Sequence, residues 1–195
     1  MLTNIKDFDI ILASNSPRRR ELLAGLGLHF TVKTIDGIDE SYPSDLRGED
    51  IPIYISREKS QAYLPTLTDR QLLITADTIV YLPEDHLVLG KPVDAADARR
   101  MLRQLSGRSH EVITGVTLLT TARQRSFAVT SQVTFADLSD EEIDYYVEHY
   151  RPFDKAGAYG IQEWIGYIGV SGLQGSYFNV MGLPVQRLYQ ELKRF

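Results

Sequence analysis

The 195-residue chain contains no cysteine, which removes both a disulfide framework and a thiolate metal centre from consideration. No secretory leader is expected, and no run of about 18 apolar residues occurs in the sequence. A cytoplasmic address and no membrane partner are therefore expected. No Ser/Gly-rich linker, low-complexity tract or internal repeat divides the chain, and 43% hydrophobic content is enough for one sizeable core, so a single domain over 1–195 is expected. A strong charge of either sign is also missing: 21 basic residues stand against 26 acidic ones, a net charge of −5. That balance argues against a general nucleic-acid or anionic-membrane surface. There is no GxxxxGK[ST] motif, so a phosphate site here would not be a P-loop.

What is present begins with ASNSPRRRELL, residues 13–23. FDIIL (8–12) reads as a buried strand, Ser16 as a helix N-cap and Pro17 as a first helical residue. The helix start then carries Arg18, Arg19 and Arg20, although its unpaired N–H groups and partial positive charge favour acids there. With Leu22, Leu23 and Leu26 defining the buried face, Arg19 falls near its centre, Arg18 on a flank and Arg20 mostly away. Arg18 pairing with Glu21 in solvent is the simplest account. An inward arginine beside free N–H groups instead calls for an anion, and phosphate suits both the guanidinium fork and the helix end.

The remaining pattern is mixed α/β. A second strand is expected at 30–35, a helix at 51–63, and an apolar strand at 72–76 continuing through 79–82 into a turn at 83–85. A helix over 94–106 is opened by Asp94 and closed by Gly107. Two long strands, 110–120 and 126–136, are expected to pair antiparallel. Ser139 and Glu142 form a capping box for a helix reaching about His149, and the last helix, 184–195, is amphipathic through Val185, Leu188, Tyr189 and Leu192.

LLITADTIVYL sets one carboxylate, Asp77, within a mostly apolar strand. Burying it ionised and alone would cost several kcal/mol, so it must end the strand in a turn, be hydrogen-bonded, pair with a cation or bind a metal. Asp36, Asp39 and Glu40 follow another strand and are free to reach the same place, and carboxylates with water suit a hard cation such as Mg2+. Lys59 sits at the edge of an apolar face made by Ile51, Ile55 and Ala62. Lys91 is held extended before Pro92. Each lysine taken alone reads as a surface residue with a snorkelling stem. Together with two arginines and a metal, they would balance a nucleoside triphosphate.

ASNSPRR, REKSQA, ADT, LGKP, LSGRSH, DKAGAYGIQ and GSYFNVMGLP, in this order, resemble the Maf family of nucleoside triphosphate pyrophosphatases over nearly the whole chain. The resemblance implies an α/β fold like that of the inosine triphosphate pyrophosphatases (Maf/Ham1), with an elongated mixed sheet, two lobes around a central cleft, and a homodimer. It implies metal-dependent hydrolysis, with Mg2+ or Mn2+, of a nucleoside triphosphate to the monophosphate and pyrophosphate.

Matched motif by motif, the resemblance assigns the triphosphate to Ser14, Arg18, Arg19, Lys59 and Lys91. Asp77 becomes the general base that positions or deprotonates water. A carboxylate is a weak base at neutral pH, so acidification of that water by metal would supply much of the drive. Glu40 and Asp77 are the candidate metal ligands, and which acid touches metal directly stays open. ADT and DKAGAYGIQ resemble the branch acting on dTTP and UTP rather than the branch acting on 7-methyl-GTP, with specificity roles for Arg18, Thr78 and Gln162. An amide such as that of Gln162 offers a donor and an acceptor to the edge shared by thymine and uracil, which cytosine lacks. EWIGYIGVS departs from the glycine-rich stretch of relatives, and Trp164 is expected to reshape the base side of the pocket. A different class, a nucleotide-binding regulator of septum formation, is also compatible with the family resemblance, but a mere binder has no need of Asp77 beside phosphates.

Overall fold

FDIIL forms strand β1 (Asp9–Leu12), which pairs in parallel with β2 (Phe30–Val32) on one side and β3 (Gln71–Leu82) on the other in the computed structural model, which describes residues 2–195. Ile10, Ile11 and Leu12 are all buried, as expected of a strand covered on both faces. β2 is shorter than the expected 30–35. Ile35 leaves the ladder, and its N–H donates instead to the Tyr63 hydroxyl at 2.9 Å. β3, by contrast, runs unbroken through Asp77 and Thr78.

The other strands are β4 (Leu87–Leu89), β5 (Ser109–Leu119), β6 (Gln124–Phe135) and β7 (Val170–Gln174). They complete a seven-stranded mixed sheet in the order β2-β1-β3-β5-β6-β7, with β4 antiparallel to β3 and β7 antiparallel to β6. β5 and β6 are neighbours joined only by residues 120–123, too short a link for a parallel crossover. The helices are α1 (Pro17–Ala24), α2 (Asp50–Tyr63), α3 (Ala95–Leu105), α4 (Asp140–Tyr150), α5 (Trp164–Gly169), α6 (Tyr177–Val180) and α7 (Val185–Arg194). The capping residues act as their types require: the Ser16, Asp94 and Ser139 side chains each accept the N–H three residues on, and Glu142 returns the bond to Ser139. No helix among the described residues is long and apolar enough to cross a membrane.

The chain divides into two compact units. The first takes the chain up to Asp77, Thr114–Val129 and Gly182–Phe195; the second takes Thr78–Ile113 and Thr130–Met181. In the second, α3 and α4 bury Ala98, Met101, Leu102, Leu105, Ile143, Tyr146 and Val147 in one cluster with Val80, Leu82, Val112, Val133 and Phe135.

In the first unit, α2 buries Ile51, Pro52, Ile55, Ser56, Ser60 and Tyr63, whereas Ala62, expected on the apolar face, is exposed. Two serines can line a buried face because their hydroxyls donate back to their own helix, at Ile53 O (2.9 Å) and Arg57 O (2.7 Å). Thr75 adds a bond to Ser56 O at 2.7 Å. Small residues on both sides let α2 lie close to β5. A Cβ added at Gly115 would stand 2.3 Å from the carbonyl carbon and oxygen of Pro52 and 2.5 Å from Ile53 N. These are backbone atoms, so Gly115→Ala should destabilise the protein by about 3 kcal/mol, read as a lower urea midpoint at unchanged slope.

Candidate functional site

The arginine-rich turn opens at Ser14, which is 7% exposed and whose hydroxyl accepts the Ser16 N–H at 3.2 Å. Arg19 turns inward as expected: Nε donates to Gly182 O at 2.8 Å and Nη1 to Ala76 O at 2.9 Å. Its inward position therefore does not by itself require an anion, because two backbone carbonyls fix the guanidinium beside the peptide that leads into Asp77. Burial pushes Arg19 below its ordinary pKa and neighbouring Arg18 adds to that shift, while Asp77 and Glu40 pull the other way. These four charged groups thus share one electrostatic environment. Arg18 is half-buried, and Arg20 is exposed, with Nη2 reaching Asn15 O at 3.5 Å.

Asp77 finds the cation that its burial demands. Lys59 Nζ, on α2, lies 2.7 Å from Asp77 Oδ1 and 2.8 Å from Glu40 Oε1. The Lys59 and Asp77 side chains are 14% and 12% exposed, and Glu40 is 49% exposed. Lys59 is therefore not a snorkelling surface lysine but a bridge between two carboxylates. Asp39 turns back on its own loop: the Ser41 N–H (2.8 Å) and hydroxyl (2.7 Å) both bond to it, holding its carboxyl below the usual range. Among the described residues no group of three or more His, Asp or Glu side chains is placed to hold a metal. The pair Glu40 and Asp77, already gathered around one cation, fits Mg2+ in the mode where one or two carboxylates are completed by water and substrate phosphate oxygens.

Ser14, Arg18, Arg19, Glu40, Lys59 and Asp77 all belong to the first unit, whereas Thr78, Lys91 and Gln162 belong to the second. Thr78 is half-buried and follows Asp77 directly on β3, so the two side chains leave opposite faces of the strand. Lys91 is exposed. Its turn is tied to the DKAGAYGIQ loop, where the Gly157 N–H donates to Gly90 O at 3.0 Å. Gln162 is half-buried, and its side-chain carbonyl oxygen is buried with no hydrogen-bond partner among the described residues.

The loop carrying Gln162 is anchored by side chains that do not stand out in the sequence. The Tyr159 hydroxyl meets His110 Nε2 at 2.8 Å. Burial lowers the His110 pKa to about 4, so the ring stays neutral at physiological pH, and burial raises that of Tyr159. Tyr146 donates to Glu163, and Lys155 Nζ lies 3.0 Å from the same carboxylate. Their only sequence signal is the pair of opposite charges, Lys155 near the start of the motif and Glu163 directly after its end. Trp164 packs edge-on against Tyr145 of α4, with ring centroids 4.8 Å apart.

The architecture is shared with the Staphylococcus aureus Ham1 protein, whose structure covers 94% of this chain and 99% of its own with a TM-score of 0.54. At 16% identity that likeness bears on fold alone. The sequence goes further: residues 9–195 match the Maf-like protein family, and the chain belongs to it. A Phocaeicola vulgatus protein called dTTP/UTP pyrophosphatase is 62% identical over 194 residues, covering 100% of both chains. Bacteroides fragilis and Cytophaga hutchinsonii proteins of the same name are 57% and 47% identical, covering 100% and 99% of this chain and 100% and 87% of their own.

Proposed function

We propose that this protein is a metal-dependent pyrophosphatase that hydrolyses dTTP and UTP at the α–β phosphoanhydride, releasing the nucleoside monophosphate and pyrophosphate. The observation that carries this reading is the bridge from Glu40 through Lys59 to Asp77, electrostatically joined to Arg18 and Arg19. Three cations against two carboxylates leave one excess positive charge, suited to polyphosphate once a divalent cation is added. The names borne by full-length relatives at 47–62% identity support the substrate class.

In this reading Ser14, Arg18, Arg19, Lys59 and Lys91 bind and orient the triphosphate, and Asp77 holds the water that attacks the α-phosphorus and accepts its proton. The bond from the α-phosphorus to the bridging oxygen breaks, and pyrophosphate leaves with the electron pair. Glu40 and Asp77 would hold Mg2+ or Mn2+, which neutralises phosphate charge and acidifies water when bound. Positioning and charge neutralisation do most of the work in such transfers.

Base choice falls to Gln162, with Thr78 and Arg18. A buried carbonyl without a partner costs about 1–3 kcal/mol, and the N3–H of thymine or uracil would relieve that while the amide N–H meets a base carbonyl. The protein works as a cytoplasmic homodimer in this reading.

Pyrophosphate release with Mg2+ or Mn2+ across dTTP, UTP, CTP, dATP, GTP and 7-methyl-GTP tests the proposal. dTTP and UTP should lead, with activity lost on chelation. Preference for 7-methyl-GTP would overturn the role of Gln162, and no release from any of them would leave a binding protein.

A further inference from the structure

Gln162 is followed directly by a residue with an unusual number of commitments. The Glu163 carboxylate takes the Lys155 ammonium at 3.0 Å on Oε1 and the Tyr146 hydroxyl on Oε2. The same hydroxyl accepts the Gly160 N–H at 3.1 Å. Tyr146 stands on α4 and is fully buried, so the loop is fastened to a helix as well as across its own ends. The backbone repeats the closure: Glu163 N–H donates to Gly160 O at 2.9 Å, and Gly166 N–H to Glu163 O at 2.8 Å. A Cβ at Gly160 would come within 3.0 Å of the Glu163 carboxyl carbon and 3.1 Å of Lys155 Cε. The bare glycine leaves room for the ion pair beside it.

Little of this is needed for stability alone, since an apolar filling of similar volume serves a buried site as well as an ion pair does. The network does, however, fix a backbone. Gln162 has a buried carbonyl oxygen that no described residue bonds, so the direction of its amide depends on the backbone that carries it. Gly160 and Glu163, which flank Gln162 and Ile161, are the two points held by Tyr146.

The geometry points to Glu163, with Tyr146 and Lys155, as positioning residues for base selection: they act through Gln162, holding its amide in the orientation that accepts a uracil or thymine edge and rejects cytosine. This rests on the role proposed for Gln162 above. Glu163 itself does not touch the base.

The test uses the full chain with Glu163→Ala, Tyr146→Phe, Gln162→Ala and the double variant Tyr146→Phe/Gln162→Ala, measuring kcat and KM for UTP and CTP and thermal unfolding. Tyr146→Phe keeps the ring and removes only the hydroxyl, so it carries the test if Glu163→Ala does not fold. The ratio of kcat/KM for UTP over CTP should fall about tenfold or more in Glu163→Ala and Tyr146→Phe, mostly through KM for UTP. In the Gln162→Ala background Tyr146→Phe should cause no further fall, because the two act in series. A purely structural role would lower activity on both nucleotides together and leave the ratio alone. If Gln162→Ala loses discrimination while Glu163→Ala and Tyr146→Phe keep it, or if the double variant shows the two losses adding, the positioning role is overturned and the reading of Gln162 stands. If Gln162→Ala itself keeps discrimination, that reading fails and takes the positioning role with it.

Discussion

Asp77→Asn should bind nucleotide at least as well as the parent protein and lose about 10^2- to 10^4-fold in kcat, the range associated with a positioned general base. The substitution is nearly isosteric, and the amide oxygen can still accept from Lys59, which also keeps Glu40 at 2.8 Å. β3 therefore has no steric reason to shift. What disappears is the negative charge and the proton acceptor. Removing negative charge near phosphates favours binding of the triphosphate, so affinity and turnover should move in opposite directions. Pyrophosphate release, with calorimetric titration of a non-hydrolysable dTTP analogue, separates the two. Parental turnover in Asp77→Asn would remove Asp77 from the chemistry, and joint loss of binding and turnover would make it a residue that holds Lys59 or the metal in place rather than a base.

The partner of Asp77 illustrates where sequence reasoning stops. A carboxylate in LLITADTIVYL had to be capped, paired or metal-bound, and that much follows from desolvation. Which alternative holds depends on α2, whose Lys59 comes 18 residues earlier and meets Asp77 only through the packing of the helix on the sheet. Local features were legible wherever the deciding interaction is local: Ser16, Asp94 and Ser139 cap within three residues, and the apolar runs of β1, β3 and β5 need no distant partner to be recognised. β4, β7 and α5 carry no such signal, and α6, though capped by Ser176, is only the four residues Tyr177–Val180. β4 exists through its pairing with β3, β7 has an exposed edge pattern, and α5 contains two glycines in WIGYIG. Glu191 shows the same limit inside a helix whose amphipathic pattern is plain. It falls on the buried face of α7, where Arg187 at 2.7 Å and Arg125 hold its carboxyl below the usual range against the effect of burial. Arg187, four residues earlier, can be seen in the sequence; Arg125 cannot. The family resemblance supplied names for the site residues, but not the network from Tyr146 through Glu163 to Lys155, which joins a helix to both ends of a loop.

Lys59→Met should produce two opposite effects, and together they test the cation site. Lys59 Nζ lies between Glu40 and Asp77 at 2.8 and 2.7 Å, the place where a divalent cation shared by those carboxylates would be held. Ammonium and metal then compete, and in the free protein the ammonium is always at hand. Without it, the two carboxylates lose the charge that stands between them, and a divalent ion relieves the repulsion that is left. Charges at about 4 Å interact by about 4 kcal/mol at an effective dielectric near 20, of which solvent at the half-exposed Glu40 removes a large part. A gain of about tenfold in affinity for Mn2+ without nucleotide, equal to 1.4 kcal/mol, is the expected remainder. Turnover should move the other way, with kcat/KM for dTTP falling about 10^2-fold or more, since a charge proposed to meet the phosphates is gone. Mn2+ binding to the nucleotide-free protein, followed by electron paramagnetic resonance, reads the first effect independently of activity. Tighter Mn2+ with weaker turnover places metal and lysine in competition for one pair of carboxylates, so that when metal enters, the lysine is released to the triphosphate. Unchanged Mn2+ affinity would mean that Glu40 and Asp77 are the counter-charges of Lys59 and hold no metal.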